Sequence, residues 1–103
     1  MEYTNHLMSN FFKALAHPTR IQILRLLENG PLCVCDILPK LESEQSNTSQ
    51  HLSVLKQSGM LESRRDGIKV IYSATDPQVY EVLGAVEAIL QHQIRETTRK
   101  MNA

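Results

Sequence analysis

Residues 46–72, SNTSQHLSVLKQSGMLESRRDGIKVIY, constrain the fold more than any other part of this chain. Thr48, Leu52 and Leu55 recur at helical spacing and form one apolar stripe. Most other positions around this helix carry small polar side chains that both donate and accept hydrogen bonds. Ser58-Gly59 predicts the end of the helix, because glycine adopts the left-handed cap conformation without a Cβ penalty. The pattern therefore indicates a helix with one buried face and one polar face.

Two short runs, residues 60–65 and 68–73, follow the glycine and are joined by Asp66-Gly67. This dipeptide strongly favours a tight hairpin turn of a primed type. Arg64, Arg65 and Lys69 crowd the predicted turn. The sequence therefore predicts a two-stranded wing that carries cations at its tip.

The polar helix and the basic wing together indicate a DNA-reading element. Short polar side chains suit the edges of bases in a major groove, and a cationic wing suits phosphates or a minor groove. The alternatives are a solvated helix and hairpin with no ligand and, for His51 alone, a packing role. The predicted DNA-contacting residues are Gln45, Ser46, Asn47, Ser49, Gln50, His51, Ser53, Lys56, Arg64, Arg65 and Lys69.

Length and charge bound the class of protein. A chain of 103 residues is expected to form one domain, residues 1–103, with only a modest core, which favours an oligomer. The formal net charge of zero argues against a purely electrostatic nucleic-acid binder. Because the sequence has neither a long apolar run nor a signal-peptide pattern, we expect a cytoplasmic protein without a membrane span.

The rest of the chain predicts four more elements, all helical: residues 4–16, 18–27, 34–41 and 77–97. In the second helix, Arg20 and Arg25 are expected to point outward. Pro39 predicts a kink or an early end in the third helix, since proline cannot donate its backbone hydrogen bond there. Asp76 is the expected N-cap of the last helix, with Pro77 at its first position.

The predicted fold is mainly α with a small β-hairpin, a winged helix-turn-helix. The last helix has a broader apolar face than one small domain needs. We therefore expect a two-fold homodimer in which the first and last helices form the interface.

Cys33 and Cys35 are the only cysteines of the chain. Thiolates select soft ions, and a helix start favours the thiolate form. At a spacing of two residues we expect separate thiols rather than a structural disulfide. Two alternatives stay open: a pair of buried small hydrophobic side chains, and a redox or persulfide switch.

With these motifs in place, the chain resembles the ArsR/SmtB family of bacterial winged-helix metal-sensing repressors. The similar segments are residues 13–27, 31–37, 48–67 and 71–76. Within them, LCVCDI resembles the metal box that precedes the recognition helix. In arsenic-responsive members this box usually has a third cysteine, and here that position is Leu38.

The resemblance implies a repressor that leaves double-stranded operator DNA when an ion binds Cys33 and Cys35. Arsenite or antimonite is the favoured inducer, followed by the soft divalent metals cadmium, lead and zinc, and no permanent cofactor is required. Hydroxide, an exogenous thiol or His6 is expected to complete the shell.

The family has a second type of site on the last helix, which Asp76 and His92 match but Gln78 and Ile89 do not. Zinc or cadmium sensing at the dimer interface is therefore an alternative. A thiol enzyme is not expected, since the chain has no Cys-x-x-Cys motif and no glycine cradle. A helical protein-interaction adaptor that never binds DNA is the remaining alternative.

Overall fold

The computed structural model describes residues 1–41 and 47–102. It confirms a mainly helical chain with a small β-sheet. The elements in chain order are α1 (Glu2–Leu15), α2 (Pro18–Leu26), β1 (Leu32–Cys33), α3 (Val34–Ile37), a 3₁₀ turn (Leu38–Lys40), α4 (Thr48–Gln57), β2 (Leu61–Asp66), β3 (Lys69–Ala74) and α5 (Gln78–Met101). Of the helices in this part of the chain, none has both the length and the apolar character that crossing a bilayer requires.

Helices α1 and α2 meet at His17-Pro18, as predicted. The backbone N–H of Thr19 donates to Nδ1 of His17 over 3.1 Å, and Pro18 occupies the first turn of α2. This arrangement satisfies one of the donors that a helix start leaves unpaired. Ile23 and Leu24 of α2 are completely buried and form the centre of the core.

Helix α3 ends early, as Pro39 predicts. The α-helical hydrogen bonding stops at Ile37, and the chain continues as the 3₁₀ turn that contains the proline. Sequence analysis missed β1, which pairs antiparallel with β3 and makes the sheet three-stranded in the order β1-β3-β2. A strand of two residues is too short to show an alternating pattern.

The end of α4 is a Schellman motif built around Gly59, whose φ is +86°. The N–H of Gly59 donates to the carbonyl of Lys56 over 3.0 Å, and the N–H of Met60 donates to the carbonyl of Leu55 over 3.1 Å. Met60 and Leu55 are both buried, which is the hydrophobic contact that accompanies this motif. The predicted glycine stop is confirmed.

The hairpin turn lies one residue later than predicted. Asp66 pairs with Lys69, so the two-residue loop is Gly67-Ile68 instead of Asp66-Gly67. Gly67 has a φ of +64°, while Asp66 and Ile68 have negative values. This pattern fits a type II′ turn, which needs glycine only at its first position. A type I′ turn at the predicted Asp66-Gly67 would have forced Asp66 to a positive φ. As a consequence Ile68 lies at the wing tip and is 97% exposed.

Helix α5 begins at Gln78 with Pro77 as its N-cap, one residue later than predicted, and continues past residue 97 to Met101. Asp76 still caps the helix, since its Oδ1 accepts from the N–H of Gln78 over 2.9 Å. The hydroxyl of Tyr80 donates to the carbonyl of Leu24 over 2.6 Å and anchors α5 to the core. Burial first, and then the nearby Glu28, raise the pKa of Tyr80 to about 12.

Beyond this anchor, α1 and α5 present apolar side chains to solvent. Phe11 of α1 and Val82 of α5 line one groove, so the two faces adjoin. Leu83 is partly buried against the core and belongs less to this surface than its sequence position suggested. We call this surface the α1/α5 face; its exposed members are Leu7, Met8, Phe12, Val86, Ile89, Leu90 and Ile94.

Gly59→Ala should lower the free energy of unfolding by about 1–2 kcal/mol, because an L-residue resists the left-handed conformation. Gly84→Ala is the matched control, and it should raise stability by up to about 1 kcal/mol, since Gly84 lies inside α5. A Cβ at either position meets no atom within 4 Å, so backbone conformation alone decides the sign. Urea unfolding followed by circular dichroism measures both, and equal stability of the two variants would contradict the cap.

Candidate DNA interface and sulfur site

Helix α4 has the two faces that the sequence predicts. Its buried positions are Thr48, His51, Leu52 and Leu55. The predicted DNA contacts that the structure places on the exposed side are Asn47, Ser49, Gln50, Ser53 and Lys56. Gln45 and Ser46, which were also predicted, lie outside the described residues. The polar side chains of α4 are therefore free to approach a groove of DNA.

His51 is the exception, and its predicted exposure is wrong. The residue is 8% exposed, and its Nδ1 accepts a hydrogen bond from Nε of Arg20 over 3.1 Å. Arg20 is accordingly half-buried and not directed outward as expected. Positions 48, 51, 52 and 55 form one complete helical stripe, so the spacing contained the signal for burial. The packing alternative for His51 is the correct one.

Lys56 connects α4 to the wing. Its Nζ donates to Oγ of Ser63 in β2 over 2.7 Å. Side chains alternate between the two faces of a strand, so Arg65 shares the face of Ser63 while Arg64 lies on the opposite face. The contact thus orients Arg65, more than Arg64, on the side of the hairpin that meets α4.

The cations of the wing are available to an anionic partner. Arg64, Arg65 and Lys69 are all exposed. Within the described part of the chain, none of them has a carboxylate at ion-pairing distance. The wing therefore concentrates positive charge on a chain with no net charge.

Cys33 and Cys35 lie where the sheet meets α3. Cys33 is 4% exposed and ends β1, with Ile71 of β3 as its partner in the sheet, whereas Cys35 is exposed in α3. The structure joins the two sulfurs in a disulfide, with their Cα atoms 5.2 Å apart. The expectation of two separate thiols is therefore wrong for this state. The chain passes from extended backbone at Cys33 into a helix, which brings the two side chains to one side.

The sulfur pair has a carboxylate beside it that sequence analysis did not single out as a ligand. One ligand atom each from Cys33, Cys35 and Asp36 lie within 4.8 Å of one another, the only such cluster of metal-binding side chains among the described residues. Once reduced, this set offers two soft donors and one hard donor, which suits a thiophilic ion with an incomplete protein shell. His6 is exposed on α1 and is not part of the cluster.

Asp76 and His92 do not form a site within one chain. The carboxylate of Asp76 already caps α5, and His92 is exposed on the same helix. A helix rises about 1.5 Å per residue, so the two side chains are separated by roughly 20 Å along α5. Within the described residues, the two side chains therefore do not converge on one ion.

The fold and the surface of α4 and the wing define a winged helix-turn-helix transcriptional regulator. Residues 17–63 match the family model described as bacterial regulatory protein, arsR family. An HTH-type transcriptional regulator of Methanocaldococcus jannaschii, MJ1325, is 39% identical over 82 residues, which are 79% of this chain and 92% of that protein. The chain belongs to the arsR family of DNA-binding regulators and is not an enzyme.

Two further relatives have names that state a resistance. The cadmium resistance regulatory protein CadC homolog of Staphylococcus aureus is 38% identical over 87 residues, 84% of this chain and 69% of that protein. The arsenical resistance operon repressor of Escherichia coli is 47% identical over 62 residues, 59% of this chain and 53% of that protein. This chain is thus similar to regulators that are named for resistance to cadmium and to arsenicals, both of which involve thiophilic elements.

Solved structures show the same architecture. The crystal structure of Rv0081 from Mycobacterium tuberculosis has a TM-score of 0.79 and 37% identity, and the alignment covers 92% of this chain and 97% of that one. The solution structure of Mb0332 from Mycobacterium bovis, described as a homodimeric winged helix-turn-helix DNA-binding domain, also has a TM-score of 0.79, at 26% identity, with 92% and 88% covered.

Arg65→Ala should weaken binding to specific and random DNA alike and reduce the slope of log affinity against log salt by about one unit, because one phosphate contact is lost. Lys100→Ala is the matched control, since Lys100 is an equally exposed cation at the far end of α5. Fluorescence anisotropy over a salt series gives both slopes. Equal slopes for the two variants would remove Arg65 from the interface.

Proposed function

We propose that this chain is a homodimeric repressor that binds operator DNA through α4 and the wing and releases it when a thiophilic ion occupies reduced Cys33 and Cys35. Arsenite or antimonite is the favoured inducer. The observation that carries the proposal is the cluster of two sulfurs and the Asp36 carboxylate within 4.8 Å, at the junction of β1 and α3. Chemistry at this junction acts on the same sheet that forms the wing.

A short chain of contacts leads from the sulfurs to the DNA-reading surface. Cys33 pairs with Ile71 of β3, and β3 pairs along its length with β2. Ser63 of β2 accepts a hydrogen bond from Lys56 of α4. A change in the position of Cys33 is therefore transmitted to the wing and to α4 without passing through the centre of the core. A coupling of about 1–3 kcal/mol between ion and DNA is the usual size of such an effect.

The choice of ion follows from the donors that this chain provides. Two thiolates favour a soft ion, and the relatives named for cadmium and arsenical resistance support the same chemistry. Leu38 stands where a third thiol would complete an arsenite site, so hydroxide or a small thiol supplies that position. Zinc is disfavoured, because its tetrahedral shell requires four ligands and the cluster offers three.

The disulfide supports a second candidate function, regulation by thiol oxidation. Two thiols lose two protons and two electrons to an oxidant such as a low-molecular-weight disulfide, which is reduced to two thiols. Cys35 is exposed and can begin this exchange, and Cys33 then displaces the small thiol to form the bond seen here. In this reading the oxidised and reduced forms differ in operator affinity.

The α1/α5 face supports assembly into a homodimer. It places large apolar side chains at the surface, including Ile89 at 57% and Leu90 at 50% exposure. A second copy would bury both faces about a two-fold axis and place two α4 helices on one face of the duplex. The homodimeric description of the Mb0332 structure supports this arrangement. A zinc or cadmium site that includes Asp76 and His92 would have to form across this interface.

Arsenite should release the reduced parent from a duplex selected out of a random pool, and Cys33→Ser and Cys35→Ser should each bind that duplex but resist release. Asp36→Asn is the graded control, and it should require more arsenite, since a carboxylate donor is lost. Anisotropy titration under a phosphine reductant measures these four proteins and the double serine variant. Release of the double serine variant at the parent's arsenite concentration would contradict this site. In a separate titration without the phosphine and without arsenite, release of the parent by oxidised glutathione would instead favour the redox function.

Leu90→Glu should convert the dimer to a monomer and abolish high-affinity operator binding, because it places an unpaired charge in the proposed interface. Gln91→Glu is the matched control, since the neighbouring side chain is polar and exposed. Sedimentation velocity separates the two states. A dimeric Leu90→Glu protein would move the interface away from the α1/α5 face.

A further inference from the structure

Arg20 joins three helices at one point. Its Nε donates to Nδ1 of His51 in α4 over 3.1 Å. Its Nη1 donates to the carbonyl oxygens of Ala14 and Lys13, at 3.4 and 3.5 Å, in the last turn of α1, where the Lys13 oxygen also accepts from the N–H of Ala16. The guanidinium of α2 thus connects α1, which carries part of the α1/α5 face, to α4, which carries the polar reading face.

Both histidines at this point accept a hydrogen bond through Nδ1. His17 accepts from the N–H of Thr19, and His51 accepts from Arg20. Their rings lie 4.2 Å apart between centroids, at 43° to each other. A nitrogen that accepts carries no proton, so the hydrogen bond from Arg20 requires the neutral form of the His51 ring. Protonation of His51 would place an N–H against the Nε–H of Arg20 and add a charge beside an existing cation.

The surroundings of His51 oppose its charging. Burial is the largest cause, and the charges of His17 and then Arg20 add to it, so that the pKa of His51 is lowered from its ordinary value of 6.5. These two groups, from the start of α2, are the charges that face His51 among the described residues. On α1, Lys13 and Ala14 contribute carbonyl oxygens to the same contact through Arg20. On α4 itself, the adjoining buried positions are uncharged.

We propose that the contact of His17, Arg20 and His51 positions α4 for specific DNA binding only while His51 is neutral, so that mild acid weakens specific binding. The inference rests on the proposed role of α4 as the reading helix. His51 is a positioning residue: it acts on the packing of α4 against α2 and does not contact a base.

The direction of the pH effect distinguishes this role from a direct contact. The unfolded chain takes up a proton on this side chain near pH 6.5, and the folded chain does so at lower pH. The stability that the neutral His51 ring contributes is therefore fully present above its pKa in the unfolded chain. It is lost as pH falls through the lower pKa of the folded chain. Below the folded pKa, the specific affinity of the dimer should fall by up to about a hundredfold per pH unit, since each of its two His51 rings must lose one proton for binding. A histidine in contact with phosphate would instead bind DNA more tightly as it gained charge.

The test compares the parent, His51→Gln and His92→Gln on a duplex selected from a random pool and on an unselected duplex, from about pH 8 to about pH 5. Glutamine can accept from Arg20 but does not titrate, so His51→Gln should retain affinity at high pH and lose the acid-induced decline. His92→Gln, a change at an exposed histidine of α5, should keep the parent's profile. Binding to the unselected duplex should not decline in acid, because phosphate contacts do not require α4 to be held in one position on α2.

A flat profile for the parent, or a His51→Gln profile equal to the parent's, would overturn the inference. If His51→Gln does not fold, as circular dichroism would show, the titration of the imidazole signals of the parent decides the question. The midpoint for His51 must lie below its ordinary value of 6.5 and coincide with the loss of specific binding. If the parent binds the selected and unselected duplexes equally at every pH, the proposed function itself is refuted.

Discussion

The antiparallel pairing of β1 with β3 is the interaction on which the rest of this structure depends. It consists of two residue pairs, Leu32 with Tyr72 and Cys33 with Ile71. Without it the hairpin would have only two strands and would depend for its stability on packing against α3 and α4. With it the hairpin becomes the outer part of a three-stranded sheet, and the sulfur of Cys33 is held at the edge of the element that carries the wing cations. The proposed sulfur site and the proposed DNA contacts of the wing thus share one sheet.

The helices around this sheet have different structural roles. The fully buried side chains of α2 and α4, among them Leu24 and Leu55, form the core that seats the reading helix. Helix α5 is anchored in its first half, through Val79, Tyr80 and Leu83 and through an ion pair of Glu87 with Arg25. The remaining length of α5 leaves its apolar side chains without cover in one chain. A small domain of this kind buries more apolar surface when it associates with a second copy. The proposed dimer interface and the proposed DNA surface lie on different helices, so both can be occupied together.

Features with a strong local cause could be predicted from the sequence. Gly59 ends α4 and Pro39 ends α3, because each acts through its own backbone geometry. The exposed polar side of α4 also followed from spacing alone. The face of His51 was missed because a polar side chain was assigned to the polar side, although its position completes the buried stripe. Its burial depends on Arg20, which is far away in sequence and supplies the partner.

Features that depend on register or on long-range pairing could not be predicted. The turn residues Gly67-Ile68 differ by one from the expected pair, since a single glycine satisfies a type II′ turn. Strand β1 exists only because β3 lies beside it. The disulfide follows from the change from strand to helix at Cys33, which sequence spacing does not show.

The most direct measurement of the central claim is hydrogen exchange in the DNA-free, reduced protein with and without arsenite. If the sulfurs act through the sheet, arsenite must change the exchange of backbone amides in β1 and β3, around Cys33 and Ile71, and then in the wing and α4. Amides in the last turns of α5 should be unaffected. Changes confined to α5, with β1 and β3 unaltered, would contradict the account and place the sensing site on the last helix.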